Sequence, residues 1–449
     1  MIIDSFITGG LLSLFLLFTI VLIVYVSKGN IKFGILLIGI LMMGFFMDYS
    51  IIPIKTFHTG DVLPTITIDV FDIVLLLLIF VSMYDHFRGV NKVNILGKYV
   101  LIYLAVLLLS VIFSWFPNLS IYSYIRTIKM AILFCFVSNI RMSYTSIKKF
   151  TIIISLSVII QISIVIYTFI IGSESGIFIF GQQYNQIQVE SVTRFAGSFI
   201  NPQTLGYYIS IIMPFLIIGV LLFKKKTIYI VSIILAFLLL IVSNTRASMI
   251  TTVFTSALLL IFLRNKKYIS KNILNITTVS IIIIVTIIIL ILQDIVFARF
   301  SSAEGQLTLL SRILPYSVAV DIFSNNILTG CGLNTFAESA QLVNKSISLQ
   351  IFPHPVHNIF LLQASETGIL GTIGFIILFY TFFKRKYFAI EMTKHEQIFC
   401  IAIKISVISI ILQGMSGWAF RLTPFYWWFW FLLGLYNSIL IKNSKSAAK

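Results

Sequence analysis

Residues 358–383, NIFLLQASETGILGTIGFIILFYTFF, hold a single charged side chain, Glu366. About 20 residues of α-helix cross the ~30 Å hydrocarbon layer of a bilayer, so this stretch predicts a membrane-spanning helix. Similar apolar runs recur along the chain, which is 59% hydrophobic and 10% charged, with a mean hydropathy of +1.04. These values exclude a soluble core and predict an all-α, polytopic integral membrane protein with about 12–13 transmembrane helices and one long outer loop.

The apolar runs divide the chain into groups of spans separated by loops. We expect N-terminal helices in 1–172, central helices in 173–296 with a loop at 173–202, a long loop at 297–357, and C-terminal helices in 358–449. The first apolar stretch has no basic flank or small-residue cleavage site, so it is expected to be a retained span rather than a signal peptide. The predicted spans are 5–27, 31–47, 69–84, 99–115, 122–139, 150–172, 203–222, 227–243, 247–263, 276–296, 358–383, 398–413 and 425–441.

The lysines predict the orientation of these spans. Short cytoplasmic loops of membrane proteins are enriched in Lys and Arg. This rule accounts for the net charge of +17 without a nucleic-acid partner and places loops 173–202 and 297–357 on the extracytoplasmic face. The lysine clusters are Lys148-Lys149, Lys224-Lys225-Lys226, Lys266-Lys267, Lys384-Arg385-Lys386 and the tail residues Lys442, Lys445 and Lys449.

Arginine follows a different pattern from lysine. The predicted outer half holds several arginines, although positive charge is disfavoured on that side. A guanidinium binds phosphate oxygens bidentately and stays charged when partly desolvated. Any one of these arginines is better explained by pairing with an acid or by snorkelling to headgroups, but the set predicts binding of an anion such as a lipid-linked diphosphate. The set comprises Arg126, Arg194, Arg246, Arg299, Arg312 and Arg421.

Two of these arginines have informative neighbours. Arg194 precedes Asn201-Pro202, which predict the N-cap and the first turn of the next span. Arg246 lies in a very short turn between two spans, so we expect it at the membrane interface.

His357 immediately precedes span 358–383 and is the candidate catalytic residue. A neutral imidazole at this junction can deprotonate a sugar hydroxyl as a general base. The alternative is a histidine that only caps the helix or bonds a loop carbonyl. His354, between two prolines and less rigidly tied to the span, is the second candidate. The face of His357 is shared by Leu361, Ala364, Gly368 and Gly371, and the small residues among them are expected to let a neighbouring helix approach closely.

Glu366 requires a partner of its own. It lies about 13 Å below the helix start at ~1.5 Å per residue, where an unpaired carboxylate is costly. Lys404 in the next, antiparallel span is expected at a similar depth. The two residues are therefore predicted to form an intramembrane ion pair with a structural role.

The pattern His357-Asn358-x9-Gly368-x2-Gly371 resembles the signature of the O-antigen ligase and polymerase superfamily. These bacterial membrane enzymes handle undecaprenyl-diphosphate-linked glycans. The resemblance covers roughly residues 190–375. It includes Arg194 with Gly197-Ser198-Phe199 and Asn201-Pro202, the Thr245-Arg246-Ala247 turn, and Ser311-Arg312 leading to Gly330-Cys331-Gly332-Leu333-Asn334-Thr335-Phe336.

The resemblance implies a metal-independent, inverting glycosyltransferase without a cofactor, in the plasma (inner) membrane with its active site on the extracytoplasmic side. His357 would activate the hydroxyl of a glycan acceptor, and Arg194, Arg246 and Arg312 would hold the diphosphate of an undecaprenyl-diphosphate-linked oligosaccharide donor. A flippase and a chain-length regulator are the candidate protein partners. His354, Asn358, Arg299 and Arg126 are secondary candidates, and Gly368, Gly371, Glu366 and Lys404 are structural.

Several alternatives remain open. A polymerase extends lipid-linked repeat units, whereas a ligase transfers the finished glycan to a lipid, protein or wall acceptor, and the motifs do not separate them. Rich use of Ile, Lys and Asn suggests an AT-rich, Gram-positive genome and favours a capsule or exopolysaccharide polymerase. A flippase or other transporter would usually show inverted repeats and polar mid-span residues. A metal-dependent glycosyltransferase would show an Asp-x-Asp motif in an outer loop, whereas here Asp69-Val70-Phe71-Asp72 begins a predicted span.

The three cysteines, Cys135, Cys331 and Cys400, are scattered along the chain and therefore predict neither a metal cluster nor a disulfide framework.

Overall fold

The computed structural model of the chain describes residues 31–44, 48–52, 66–69, 72, 74–79, 96–140, 142–171, 177–179, 182–184, 186–189, 192–199, 201–268, 303–343, 355–384, 392–417 and 419–446. The predicted spans 5–27 and 276–296 lie outside these residues, and 69–84 is described only in part.

The described part of the chain is predominantly helical, which confirms the predicted all-α, multi-pass membrane protein. Its helices are α1 (Ile31–Met42), α2 (Gly97–Ile112), α3 (Pro117–Ser138), α4 (Tyr144–Ile171), α5 (Pro202–Leu222), α6 (Thr227–Ser243), α7 (Arg246–Asn265), α8 (Ala303–Asn325), α9 (Phe336–Val343), α10 (Ile359–Lys384), α11 (Lys394–Ser416) and α12 (Thr423–Ser446). By length and composition, α3, α4, α5, α7, α10 and α11 can span a bilayer, and α1, α2 and α6 are shorter apolar helices.

Short strands form three antiparallel hairpins within the described residues. They are β1 (Asp48–Ile52) with β2 (Ile66–Asp69), β3 (Ile177–Ile179) with β4 (Gln182–Tyr184), and β5 (Gln186–Val189) with β6 (Val192–Phe195). The last two hairpins lie in the predicted loop 173–202. Helix α1 ends at Met42, five residues before the predicted end of span 31–47, and residues 45–47 lie outside the described part of the chain. The predicted loop 297–357 contains helices α8 and α9.

Helix α5 lies at the centre of the bundle and is buried along most of its length. It packs against α4, α6, α7 and α11. Van der Waals packing and interhelical hydrogen bonds drive such association in lipid, and both are present. Gly219 of α5 lies against the ring of Tyr229, and Ser406 of α11 donates a hydrogen bond to Ile211 O at 2.7 Å. This packing fixes the helices whose ends carry the candidate site.

The short connections define two ends of the bundle. Residues 113–116, 244–245, 417 and 419–422 lie at the same end as His357, which we call the His357 side. Residues 139–140, 142–143, 223–226 and 266–268 lie at the opposite end, which we call the lysine side. On the lysine side, the amide Oδ1 of Asn437 in α12 accepts a hydrogen bond from Leu96 N–H at 3.1 Å, which joins α12 to the start of α2.

Candidate functional site

Arg194 lies on β6 and is followed by a tightly held turn at the His357 side. Gly197 has a φ of +60°, and a Cβ there would collide with the amide oxygen of Gln161. The buried Gln161 of α4 accepts a hydrogen bond from Ser198 N–H at 3.0 Å and donates one to Gly44 O at 2.6 Å. The turn is thereby fixed to the bundle, and Arg194 itself remains partly exposed.

The chain enters α5 as the sequence predicts. Asn201 precedes the helix, and its side-chain oxygen accepts a hydrogen bond from Thr204 N–H at 2.8 Å. Pro202 is the first helical residue. This N-cap confirms the predicted start of the helix.

Arg246 is the first residue of α7. The preceding Asn244 adopts a left-handed conformation with a φ of 48°, which reverses the chain after α6. The hydroxyls of Ser243 and Thr245 are 2.9 Å apart, and a Cβ at Gly206 of α5 would meet Thr245 and Ser248. Close packing of α5 against this turn therefore places Arg246 beside the first turns of α5.

His357 lies just before α10 and is partly exposed. Helix α10 begins at Ile359 rather than at Asn358, because Asn358 is its N-cap. The Asn358 side-chain oxygen accepts hydrogen bonds from the N–H groups of Phe360 at 2.9 Å and Leu361 at 3.2 Å. Asn358 thus accepts hydrogen bonds from N–H groups of the first turn that have no partner within the helix, and it fixes the backbone next to His357.

Helix α10 is interrupted at Gly368, whose φ of 61° and ψ of −167° are not helical. The backbone groups released by the break bond to residues 326–332, which we call the inserted turn. The N–H groups of Ile369 and Leu370 donate to Ile327 O and Leu328 O at 2.8 and 3.3 Å. In the opposite direction, Cys331 N–H donates to Ser365 O at 3.0 Å and Gly332 N–H to Glu366 O at 2.8 Å.

Glycines permit this close backbone approach. A Cβ at Gly330 would lie 2.5 Å from Glu366 O and Thr367 N, and one at Gly368 would lie 2.6 Å from Thr329 N. The prediction that Gly368 and Gly371 form a helix-packing stripe below His357 is therefore wrong. The backbone of the inserted turn packs directly against Gly368, and Gly371 faces the side chain of Thr367 in its own helix. The break at Gly368 also ends the rotation of 100° per residue on which the predicted stripe depended.

Glu366 ties the inserted turn to a different helix from the one predicted. Its buried carboxylate forms an ion pair with Arg421, the last residue of the 3-10 turn Ala419–Arg421, and accepts hydrogen bonds from the N–H groups of Phe336, at 3.1 Å, and Asn334. The hydroxyl of Ser110 in α2 donates to Glu366 O at 2.8 Å. Glu366 therefore links α10, α2, the turn before α12 and the start of α9.

The predicted Glu366–Lys404 pair is wrong. Lys404 Nζ donates to Phe383 O at 2.9 Å and lies 5.1 Å from the centroid of the Tyr436 ring. Phe383 is at the lysine-side end of α10, far along the helix from Glu366. The prediction assumed that equal numbers of residues correspond to equal depth in two regular, neighbouring helices. This does not hold here, because α10 is interrupted at Gly368 and α11 packs mainly against α5 and α7.

Arg126 joins the same cluster from α3. Its Nη2 donates to Arg421 O at 3.0 Å, and its guanidinium lies 5.4 Å from the centroid of the Tyr426 ring. The Tyr426 hydroxyl in turn bonds Thr127 Oγ1 at 3.1 Å. For Arg126 and Arg421, the structure thus favours attachment to protein groups over the anion-binding role predicted for the whole arginine set.

The remaining predicted residues are only partly described. Arg312 lies on α8, which packs against α10, but its side chain is outside the described part. His354 and Arg299 lie outside the described residues altogether. Sequence reasoning missed Gln161 and did not identify Glu366 as the acid that pairs with Arg421. Gln161 carries a signal that could have been used, since a polar side chain within an apolar span requires a hydrogen-bond partner.

Residues 231–376 match the family model described as O-antigen ligase. The match runs from α6 into α10, so it covers Arg246, Arg312, the inserted turn, His357 and Gly368 and leaves Arg194 and Arg421 outside. A search among curated proteins finds no match. Together with the spanning helices, the family match supports a multi-pass membrane enzyme of the O-antigen ligase and polymerase type. Over residues 231–376 the chain is thus similar to the O-antigen ligase family, and the resemblance predicted from the His357 motif is confirmed.

Proposed function

We propose that the protein is a polymerase that joins undecaprenyl-diphosphate-linked glycan units on the extracytoplasmic face of the plasma membrane. The family match over residues 231–376 carries the proposal, because it includes the helix start at His357, the break at Gly368 and the inserted turn. The lysine-rich loops at the opposite end support this orientation, since such loops are typically cytoplasmic. In the proposal, segment 297–357 covers the site.

In the proposed reaction His357 acts as the general base. Its imidazole takes the proton of an acceptor sugar hydroxyl as that oxygen attacks the anomeric carbon of the donor from the face opposite the diphosphate. The new C–O bond forms, the bond from the anomeric carbon to the phosphate oxygen breaks, and undecaprenyl diphosphate leaves with the electron pair. The configuration at the anomeric carbon is inverted. The N-cap by Asn358 supports the role of His357 by fixing the backbone beside it.

The diphosphate would be held by Arg194, Arg246 and Arg312. The first two are supported by their placement, because each is partly exposed at the His357 side. Arg194 lies on β6 just before the turn held by Gln161, and Arg246 is the first residue of α7. Guanidinium groups that meet the leaving diphosphate stabilise the negative charge that develops on it in the transition state. With such a leaving group, neither a metal ion nor a general acid is required by the proposal.

The experiment uses purified full-length protein in proteoliposomes supplied with undecaprenyl-diphosphate-linked repeat units. A ladder of products that grow by one repeat unit supports the polymerase. Vectorial movement of the intact lipid-linked glycan without new glycosidic bonds would overturn the proposal in favour of a transporter.

A ligase is the second candidate, and the description of the matching family as O-antigen ligase favours it. The same proteoliposomes distinguish the two activities. If the protein forms no ladder but transfers glycan to a supplied lipid, peptide or wall-fragment acceptor, it is a ligase. Both outcomes use the same His357 side of the bundle.

A further inference from the structure

We propose that the inserted turn is re-entrant: it lies within the hydrocarbon region of the leaflet on the His357 side, where Ile327 and Leu328 face the acyl chains of lipids. The chain would enter this leaflet along the end of α8 and leave it on the same side towards α9. This inference concerns the contact of the protein with the bilayer and does not rest on the proposed function.

The depth of the turn follows from its bonds to the spanning helix α10 and from the contact of α10 with the apolar helix α2. Helix α2 ends at Ile112, and Trp115 follows it, as is typical of the membrane interface. Ser110 bonds to Glu366 O, so Glu366 is level with the last turn of α2. The residues that bond to Ile327 and Leu328 lie three and four positions further along α10, on the other side of the break from His357, and are therefore deeper in the leaflet.

The side chains at this depth are apolar and exposed. Ile327 is 51% exposed and Leu328 is 63% exposed. Their backbone partners, Ile369 and Leu370 of the spanning helix α10, are also exposed, at 41% and 37%. The four side chains continue the lipid-facing surface of α10. Acyl chains are the occupant that suits a surface continuous with a spanning helix.

The polar backbone of the turn is satisfied within the protein, as irregular backbone at membrane depth requires. Gly330 N–H donates to Asn326 O at 2.9 Å, and the Asn326 amide donates to Gly330 O at 2.8 Å. Ile327 O and Leu328 O accept from the broken helix, and Cys331 O accepts from Trp115 N–H at 2.8 Å. These bonds remove the main cost of placing a turn in hydrocarbon.

Spin-label accessibility tests the inference on the full chain in proteoliposomes. A nitroxide is attached at Leu328→Cys in a Cys135→Ser background, because Cys135 is exposed whereas Cys331 and Cys400 are buried. Collision with oxygen, which partitions into hydrocarbon, is compared with collision with a water-soluble nickel chelate. Ile376→Cys on the exposed face of α10 is the lipid control, and Lys225→Cys in an exposed connection is the water control.

We expect the label at 328 to collide several-fold more with oxygen than with nickel, as at 376. A label that matches position 225, accessible to nickel, overturns the inference in favour of a water-exposed turn. A label shielded from both reagents also overturns it, because a protein surface would then cover the turn. Ile327→Cys provides a second position should Leu328→Cys fold poorly, since both side chains are exposed.

Discussion

Glu366 and Arg421 form a buried ion pair that joins the interrupted helix α10 to the 3-10 turn before α12. The two residues are 55 positions apart in the chain. Glu366 also holds the start of α9 through the N–H groups of Phe336 and Asn334. Because α10 begins next to His357, this pair helps to set the position of the candidate base relative to the segment proposed to cover it.

A double-mutant cycle tests the ion pair. Removing one partner leaves a buried charge without its counterion, so Glu366→Gln and Arg421→Gln should each destabilise the protein, by about 3–5 kcal/mol for a fully buried pair. The double variant should lose less stability than the sum of the losses of the two single variants, which corresponds to a coupling energy of about 1–3 kcal/mol. The free energy of unfolding of each purified variant is measured in mixed micelles, and the coupling energy is calculated from these values. The cycle of Glu366→Gln with Lys404→Gln is the control and should be additive; coupling there instead of with Arg421 would contradict the assignment.

Gly368→Ala tests the break in α10. The φ of 61° with ψ near 180° is essentially restricted to glycine, and forcing another residue into it costs about 1–3 kcal/mol. The new Cβ would also meet the carbonyl of Leu328. We expect a marked loss of thermal stability. Gly374→Ala is the control, because Gly374 is helical and only the side chain of Tyr103 would have to shift; equal stability of the two variants would mean that α10 is continuous.

Gln161→Leu tests whether the turn after β6 positions Arg194. The substitution removes the bonds of Gln161 to Ser198 and Gly44, and leaving buried groups unsatisfied costs about 1–3 kcal/mol each. If Arg194 binds the donor diphosphate, KM for the donor should rise more than kcat falls. Gln413→Leu removes another buried amide, which donates to Ser210 at 3.1 Å, and should change stability without the selective rise in KM. An unchanged KM in Gln161→Leu would reject the positioning role.

Asn358 is predicted to act as a helix cap rather than as a reacting group. Asn358→Ala should lower stability by about 1 kcal/mol, and Asn358→Ser should retain most of it, because serine also caps helices. Activity should follow stability, falling in the alanine variant and recovering in the serine variant. Asn201→Ala, at the cap of α5, is the matched control for the effect on stability. A serine variant that is stable but inactive would indicate direct contact between Asn358 and the substrate.

Local chemistry allowed part of this structure to be predicted from the sequence. The Asn201-Pro202 cap, the tight turn before Arg246 and the apolar helices depend on neighbouring residues, and the structure has them. The break at Gly368 was not predictable in the same way, since the apolar pattern continues through it and the bonds that stabilise it come from residues 326–332. The Glu366–Arg421 pair illustrates the same limit, because the two residues are 55 positions apart and only the tertiary structure brings them together.

The most direct test of the proposed chemistry compares two histidine variants in proteoliposomes with undecaprenyl-diphosphate-linked repeat units. His395→Ala is the control, because His395 lies on the lysine side, 4.5 Å from the Tyr144 ring between centroids. Loss of a general base typically lowers the rate by about 10²–10⁴-fold. We expect His357→Ala to show that loss in glycan transfer while retaining its thermal stability and donor binding, and His395→Ala to transfer glycan at the rate of the unmodified protein. A His357→Ala variant that transfers glycan at an undiminished rate would contradict the assignment of His357 as the base.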